Sequence, residues 1–436
     1  ALAIRHLANL TTMKKNLALG ATATVVAAIT LTGAGIHLSQ GHAFFKSNPN
    51  EIVDEVWQAV NRNYLDATFN QEDWMAVRTE YVRDRTYSDP EAAYTAIEEM
   101  LEKLGDPYTR FLKPDEFRNM QIDTSGELTG VGIQLGQDEE TKDLVVVAPI
   151  EDSPAFSAGV LARDKIVAID GQSTEGMDIN DAVKLIRGPV GTTVTLTITR
   201  NDKTLQFPIR RDRIELHPVR QEERKEKGLH FGYIRLTQFN GNASVEMRDA
   251  IKELESAEVG GYILDLRSNP GGLLFSSIEI ARMWLEEGTI VSTVNRQGEI
   301  DRQVAKGKPL TDRPLVVLVD GGSASASEIL SGALQDLDRA TLVGTKTFGK
   351  GLVQSVRHLG DGSGLAVTVA KYLTPSGRDI NKLGIEPDIV VELSDEQREF
   401  LVDNRDRIGT LDDPQYARAL AELSQKMGTG ATSQTP

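Results

Sequence analysis

From residue 229 onward the sequence alternates two kinds of apolar pattern, and that alternation constrains the fold more than any other feature. "FGYIRLTQF", "GYILDLRSN", "TIVSTV", "PLVVLVD", "ATLVG", "GLVQSV" and "GLAVTVAKYLTP" are short β-type runs. Among them, "SVEMRDAIKEL", "LLFSSIEIARMWL" and "SASEILSGALQDL" carry apolar residues at helical spacing. Strands alternating with amphipathic helices predict an α/β core. A fully apolar run such as "PLVVLVD" is a strand of the buried type. In such cores the sites are built on loops at the strand ends.

The remaining bounds exclude several chemistries. A chain of 436 residues, 40% hydrophobic, is long enough for two or three domains. With 48 basic against 64 acidic residues, the net charge of -16 argues against an electrostatic interface with nucleic acid or anionic lipid. There is no cysteine, so neither a disulfide nor a thiol nucleophile arises. The six histidines (His6, His37, His42, His217, His230 and His358) form no HxxxH or HExxH cluster, which leaves no basis for a zinc site.

Residues 1–45 read as an address. Lys14 and Lys15 precede the uncharged run "LALGATATVVAAITLTGAGIHL", and Gly41 and Ala43 suit a small-residue cleavage site. A secretory signal is expected, with an uncleaved membrane anchor as the alternative, and Met13 is a candidate start. Residues 49–120 have helical periodicity. Ile52, Val53, Val56, Trp57 and Val60 share one stripe, and Asp89, Pro90 and Gly105 bracket a second helix.

Residues 126–212 follow a different order: strand, strand, short helix, strand, helix, strand. The glycine loop Gly130, Val131, Gly132, Ile133 opens it, and its backbone N–H groups suit a peptide's terminal carboxylate while the peptide adds as a strand. This order resembles a PDZ domain. The charge run "VRQEERKEKG" at 219–228 reads as a solvated connector. Residues 213–395 are then the α/β core, and 396–436 are C-terminal helices with a flexible polar tail "GTGATSQTP".

The chemistry-bearing stretch is "VDGGSASASEILSGALQDL", residues 319–337. An apolar strand enters and a helix leaves, with Ile329, Leu330, Ala333, Leu334 and Leu337 on its inner face, so three serines sit on a strand-to-helix turn. Unpaired N–H groups at the helix start suit an oxyanion, while serine is also a preferred N-cap. A serine nucleophile needs a base. Of the histidines only His358 falls nearby, without an evident orienting partner. "GTKTFGKGLVQS" supplies Lys346 and Lys350 instead. Lys350, between Gly349 and Gly351 and leading into an apolar strand, is the better placed to be buried and neutral near pH 7. If the segment is extended, Gln354 points to the same face and its amide can orient the amine. In "LDLRSNPGGLL", Gly271 and Gly272 let backbone N–H groups approach a substrate closely.

Jointly, "LDLRSNPGGLL", "GSASASEILSGALQD" and "TFGKGLVQS" resemble the motif set of the carboxyl-terminal processing peptidases, or tail-specific proteases. "LGDPYTRFLKPDEF" and "YLTPSGRDINKLGIEPDI" resemble the same family, so the likeness spans about 50–395. It implies a crotonase-like α/β protease core with a PDZ domain and an N-terminal helical region. It implies Ser325 as nucleophile, Lys350 as general base, Gln354 as the residue orienting the lysine, and Gly271 with Ala326 as backbone oxyanion donors. Asp336 matches a supporting position, and Arg187 in "LIRGPVGT" matches a PDZ arginine linked to coupling between peptide binding and catalysis.

The function so implied is cleavage near the C-termini of proteins whose tails the PDZ domain captures, with no metal or cofactor. "NRNYLDATFNQEDW" is most similar to members from photosynthetic organisms. Some of these trim a photosystem II reaction-centre precursor in the thylakoid lumen, so an exported enzyme of the periplasm or lumen is expected. A non-catalytic PDZ adaptor or chaperone is the rival reading. A Ser/His/Asp hydrolase is a further one, although no GxSxG elbow surrounds Ser325.

Overall fold

The computed structural model describes residues 48–430 apart from 139, 140 and 299. The segment expected to be a signal or anchor therefore lies outside the described residues. Among those described, no helix is long and apolar enough to cross a membrane.

The alternating region forms a sheet whose strands lie in the order Val219–Glu226, Leu229–Leu236, Tyr262–Asp265, Leu315–Val319, Thr341–Gly344, Ile389–Val390. The first pair is antiparallel and every later pairing is parallel. Leu315–Val319 is buried at all positions because both faces are covered. Leu315, Val317 and Val319 join one core with the helices Ala243–Ser256, Leu274–Trp284 and Ala326–Asp336. Val316 and Leu318 pack on the opposite face, against Tyr416, Ala419, Leu420 and Leu423 of the C-terminal helix Pro414–Gly430. That helix takes in the first residues of the stretch expected to be a flexible tail.

A second, antiparallel sheet runs Arg110–Leu112, Gly364–Leu373, Thr289–Asn295, Ile300–Val304, with Leu352–His358 also paired to Gly364–Leu373. The N-terminal helices Pro49–Asn63 and Pro90–Glu102 cover it, burying the stripe from Ile52 to Val60 against Leu359, Leu365 and Val367. Asp89 caps the second of these helices through Ala92 N–H at 2.9 Å, as its sequence predicts. The N-terminal region is not wholly helical, however. Arg110–Leu112 adds as a strand to Gly364–Ala366, because Phe111 and Leu112 meet partners that no local pattern reveals.

Residues 133–210 form a separate antiparallel sheet, ordered Ile133–Gln137, Leu144–Pro149, Lys165–Ile169, Thr193–Arg200, Lys203–Arg210, with the helix Ile179–Ile186. This is the expected order with two strands more: the short Gln172–Ser173, paired with Lys165–Ile169, and Lys203–Arg210, which Pro208 and alternating polar residues hide. Glu127–Gly130 pairs with Asp212–Glu215, so one two-stranded ribbon brings chain into this unit and out of it.

The charge run at 219–228 is not a connector. Val219–Glu226 is the outermost strand of the central sheet, in register with Leu229–Leu236. Its charged side chains keep an exposed sheet edge from pairing with other chains. The Arg224 guanidinium nonetheless lies 4.0 Å from the Tyr233 ring centroid.

Candidate active site

Two strand-to-helix turns of the central sheet meet at one point. After Leu315–Val319 the chain turns through Asp320–Ala324, and Ser325 stands at the N-cap of Ala326–Asp336 with φ 56° and ψ −110°. A left-handed φ is costly for a residue with a side chain, and such strain collects at working sites. All three serines of the turn are fully buried, yet they are differently employed. Ser323 Oγ donates to Leu266 O at 2.9 Å and Ser327 Oγ to Asn269 O at 2.9 Å. Ser325 Oγ is buried with no hydrogen-bond partner.

The second turn carries Gly271, at φ 98°. A Cβ there would sit 2.6 Å from Ala324 O, 2.8 Å from Ala326 N and 3.0 Å from Ser325 Cβ. Only glycine lets the turns close to this distance. Ala326, first in its helix, has an N–H with no partner in that helix. The Gly271 N–H donates to Asn269 Oδ1 at 2.9 Å.

Lys350 enters from the segment before Leu352–His358 and is 2% exposed. Its ammonium nitrogen lies 4.8 Å from the Tyr108 ring centroid. Burial is the main reason its pKa falls to about 7; Arg110 adds to the fall, while Asp106 and Glu328 oppose it. Gln354 is also buried and donates to Thr368 Oγ1 at 3.4 Å. Lys346, by contrast, is half-exposed and pairs with Glu386 at 2.9 Å.

Two residues unforeseen in the sequence join the serine and lysine backbones. Glu328, fully buried, accepts the N–H of Ser325 (2.8 Å) and of Lys350 (2.9 Å) on Oε2. Its Oε1 accepts Gly349 N–H (2.7 Å) and Thr347 Oγ1 (2.6 Å). Burial raises the Glu328 pKa, against the pull of these donors. From the other side, Tyr372 OH reaches Lys350 O at 2.5 Å and Ser325 O at 3.2 Å. The one signal for Glu328 is its place three residues after the N-cap serine, which fits a capping pattern but says nothing of Lys350.

A family model described as peptidase family S41 matches residues 230–391, and one described as PDZ domain matches 145–200. The chain is 50% identical over 366 residues to the carboxyl-terminal-processing protease of Synechocystis sp., covering 83% of this chain and 86% of the relative. The chain belongs to peptidase family S41. It is a carboxyl-terminal-processing serine peptidase with a PDZ domain, and the non-catalytic adaptor reading falls away. It is also 41% identical over 379 residues to carboxyl-terminal-processing peptidase 2, chloroplastic, of Arabidopsis thaliana, covering 84% of this chain and 73% of the relative. Among solved structures, the photosystem II D1 C-terminal processing protease matches with a TM-score of 0.54 at 37% identity, covering 79% of this chain and 94% of that one.

In this peptidase the described histidines stand elsewhere. His217 pairs with Glu246 (2.6 Å), His230 with Glu223 (2.9 Å), and His358 packs on Phe117. Asp336 shares the helix of Ser325 but lies eleven residues along it, roughly 16 Å away. It binds Ser376 Oγ at 2.6 Å and pairs with Arg378, so any support it gives passes through the 374–378 loop. Burial opposes its ionisation, but Ser376, Thr374 and Arg378 outweigh it and hold its pKa low.

The glycine loop lies between the ribbon and the PDZ sheet and not on the central sheet that carries the serine. Gly130 ends a ribbon strand, Gly132 O accepts Ile150 N–H (2.9 Å) and Ser153 Oγ (3.0 Å), and Val131 O accepts Ala155 N–H (2.8 Å). Ile133 starts the edge strand of the PDZ sheet, leaving one side open to an added strand. Arg187 is not on that loop. It caps the helix Ile179–Ile186 and donates to Asn119 Oδ1 at 2.9 Å, on the helix Pro114–Ser125 whose Phe117 packs on His358.

Proposed function

We propose that this peptidase cuts protein tails with Ser325 as nucleophile and Lys350 as general base, and the observation that carries this is the buried Lys350, whose amine has its pKa lowered to about 7 and whose backbone N–H shares Glu328 Oε2 with that of Ser325. The neutral amine takes the Ser325 proton as Oγ attacks the scissile carbonyl. Gln354, buried on the strand after the lysine, orients the amine. The tetrahedral oxyanion is held by the N–H groups of Ala326 and Gly271. Asn269 Oδ1 yields the Gly271 N–H to it, because a charged acceptor outcompetes a neutral amide oxygen. The lysine ammonium then protonates the leaving amine, and the bond to the removed tail breaks. Water, giving a proton to the again-neutral Lys350, attacks the acyl-enzyme; the acyl–Oγ bond breaks, the lysine ammonium returns its proton to Ser325 Oγ, and the shortened protein leaves with a new carboxylate.

The tail reaches the serine by way of the PDZ unit. Its terminal carboxylate meets the Gly130–Ile133 loop, and its backbone pairs with the open edge of Ile133–Gln137. Arg187, through Asn119 and the Pro114–Ser125 helix, is suited to relay occupancy of this unit toward the sheet that carries Gln354. The substrate proposed first is a photosystem II reaction-centre precursor, on the likeness to the D1 processing protease. The enzyme would then be exported, guided by residues 1–45, to the periplasm or thylakoid lumen.

The test is cleavage of an unfolded protein with an apolar C-terminal tail by wild type, Ser325→Ala and Lys350→Ala, with products mapped by mass. Loss in both variants while the tail still binds supports these roles. Turnover by either variant would place the chemistry elsewhere.

A further inference from the structure

The wall facing Lys350 comes from the N-terminal region. Tyr108 sets its ring against the amine. Thr109 Oγ1 donates to Asp106 Oδ2 (2.8 Å) and accepts the N–H of Thr368 (3.0 Å), 259 positions away. Thr368 in turn receives Gln354. Arg110 follows, its backbone fixed opposite Ala366 in the antiparallel sheet.

The Arg110 guanidinium has no part in the chemistry set out above. Its Nε is buried without a hydrogen-bond partner, and among the described residues it makes no ion pair. Arg110 as a whole is half-buried, and an arginine with a buried nitrogen ordinarily takes a carboxylate. Here Glu98, Glu102 and Asp106 line a cavity of about 460 Å³ with Arg110, but none closes on it. Asp106 gives its oxygens to Tyr108 N–H (2.9 Å) and Thr109 Oγ1 (2.8 Å). Glu116, on the helix Pro114–Ser125, acts on it only at longer range. Burial lowers its pKa, yet a guanidinium keeps its proton at any working pH.

We propose that Arg110 is a positioning residue for the base: its unpaired guanidinium, two residues beyond the Tyr108 ring that faces Lys350 and held in register opposite Ala366, disfavours a second positive charge on that amine. This rests on Lys350 being the general base. Two cations facing one partly desolvated site repel, so the guanidinium raises the cost of protonating the amine, and a carboxylate closed on Arg110 would cancel that field. The other groups facing Lys350 are consistent with this. Asp106 and Glu328 pull toward the charged amine, burial and Arg110 push away from it, and Tyr372, whose pKa burial raises, stays a neutral donor to the Lys350 carbonyl. The unpaired arginine thus offsets the two acids that the backbone of the site requires.

The experiment is kcat/KM against pH for wild type, Arg110→Gln, Arg110→Met and Arg110→Lys, with Lys350→Ala as reference, on a peptide with an apolar C-terminus. Arg110→Met keeps the aliphatic stem and serves if the glutamine variant does not fold. In the neutral variants the acid limb should move up by roughly one pH unit, a loss of about fivefold at pH 7, and rejoin wild type on the alkaline plateau. Arg110→Lys should keep the limb near its wild-type place. An unmoved limb in the neutral variants, or a loss equal at every pH, would overturn the proposal. Wild-type turnover by Lys350→Ala would overturn the base reading beneath it instead.

Discussion

Glu328 Oε2 accepts the backbone N–H of Lys350 at 2.9 Å while it also holds the N–H of Ser325 at 2.8 Å. One buried oxygen thereby fixes the separation of two segments that no secondary structure joins directly. Replacing Glu328 by Ala leaves four buried donors, from Ser325, Thr347, Gly349 and Lys350, without their acceptor. An orphaned buried donor costs about 1 to 3 kcal/mol, so Glu328→Ala should lower Tm by roughly 5 °C or more. It should also cut kcat at least tenfold by loosening the proposed dyad. Calorimetry with steady-state kinetics checks both, and an unchanged Tm would show that the carboxylate does not bear these bonds.

The three serines of the turn should separate cleanly. Ser325→Ala removes an oxygen that bonds to nothing, so it should abolish turnover and leave Tm within about 1 °C of wild type. Ser323→Ala and Ser327→Ala each remove a buried bond to the neighbouring turn, so each should cost about 1 kcal/mol and retain activity. Melting curves and turnover for the three variants decide the matter. An active Ser325→Ala would transfer the nucleophile's role to another group.

What could be read from the sequence divides along physical lines. The turn at Ser325 was legible because a buried strand, small residues and an amphipathic helix leave a local signature. Lys350 was legible because its flanking glycines mark tight backbone passage: a Cβ at Gly349 would meet Gly384 N at 2.9 Å, and one at Gly351 would meet Asn381 N at 2.8 Å. Glu328 was hidden because an acid in the first turn of a helix ordinarily caps it and faces water. Tyr108 and Arg110 were hidden because they reach the site only through long-range strand pairing. Asp336 shares a helix face with Ser325, but periodicity fixes direction and not distance, and three turns of rise carry it away. The strand at 219–226 was masked by charge, since an edge strand needs apolar residues on only part of its surface.

Gly271→Ala tests the junction of the two turns. The new methyl would meet Ala324 O and Ala326 N within 2.8 Å, at a backbone φ of 98° that side chains avoid. Strain of this kind costs about 1 to 3 kcal/mol. Displacement of an oxyanion donor costs about a further hundredfold in kcat. The expected result is a folded, less stable enzyme with kcat reduced roughly a hundredfold and KM little changed. Undiminished kcat would mean that Gly271 is not an oxyanion donor.

The last prediction concerns the burden of keeping Lys350 uncharged. Its pKa is about 7 in the folded protein against 10.5 for the free side chain, chiefly through burial. Between these values the unfolded chain binds a proton that the folded chain sheds. The contribution of this residue to stability is therefore complete above 10.5 and is lost as pH falls through 7. At pH 7 the penalty is on the order of 4 kcal/mol. Lys350→Met, of similar length and without charge, should therefore be inactive yet more stable than wild type at pH 7, with the gain shrinking as pH approaches 10. Over the same range wild-type kcat/KM should rise about tenfold per pH unit below 7 and level off above it if Lys350 is the base as proposed, because only its neutral amine can accept a proton from Ser325. Denaturant titrations of both proteins at pH 6, 7, 8 and 9, with the pH–rate profile of the wild type, test the two consequences together. A limb near 10.5, or a methionine variant no more stable than wild type at pH 7, would show that the lysine carries its proton in the resting enzyme.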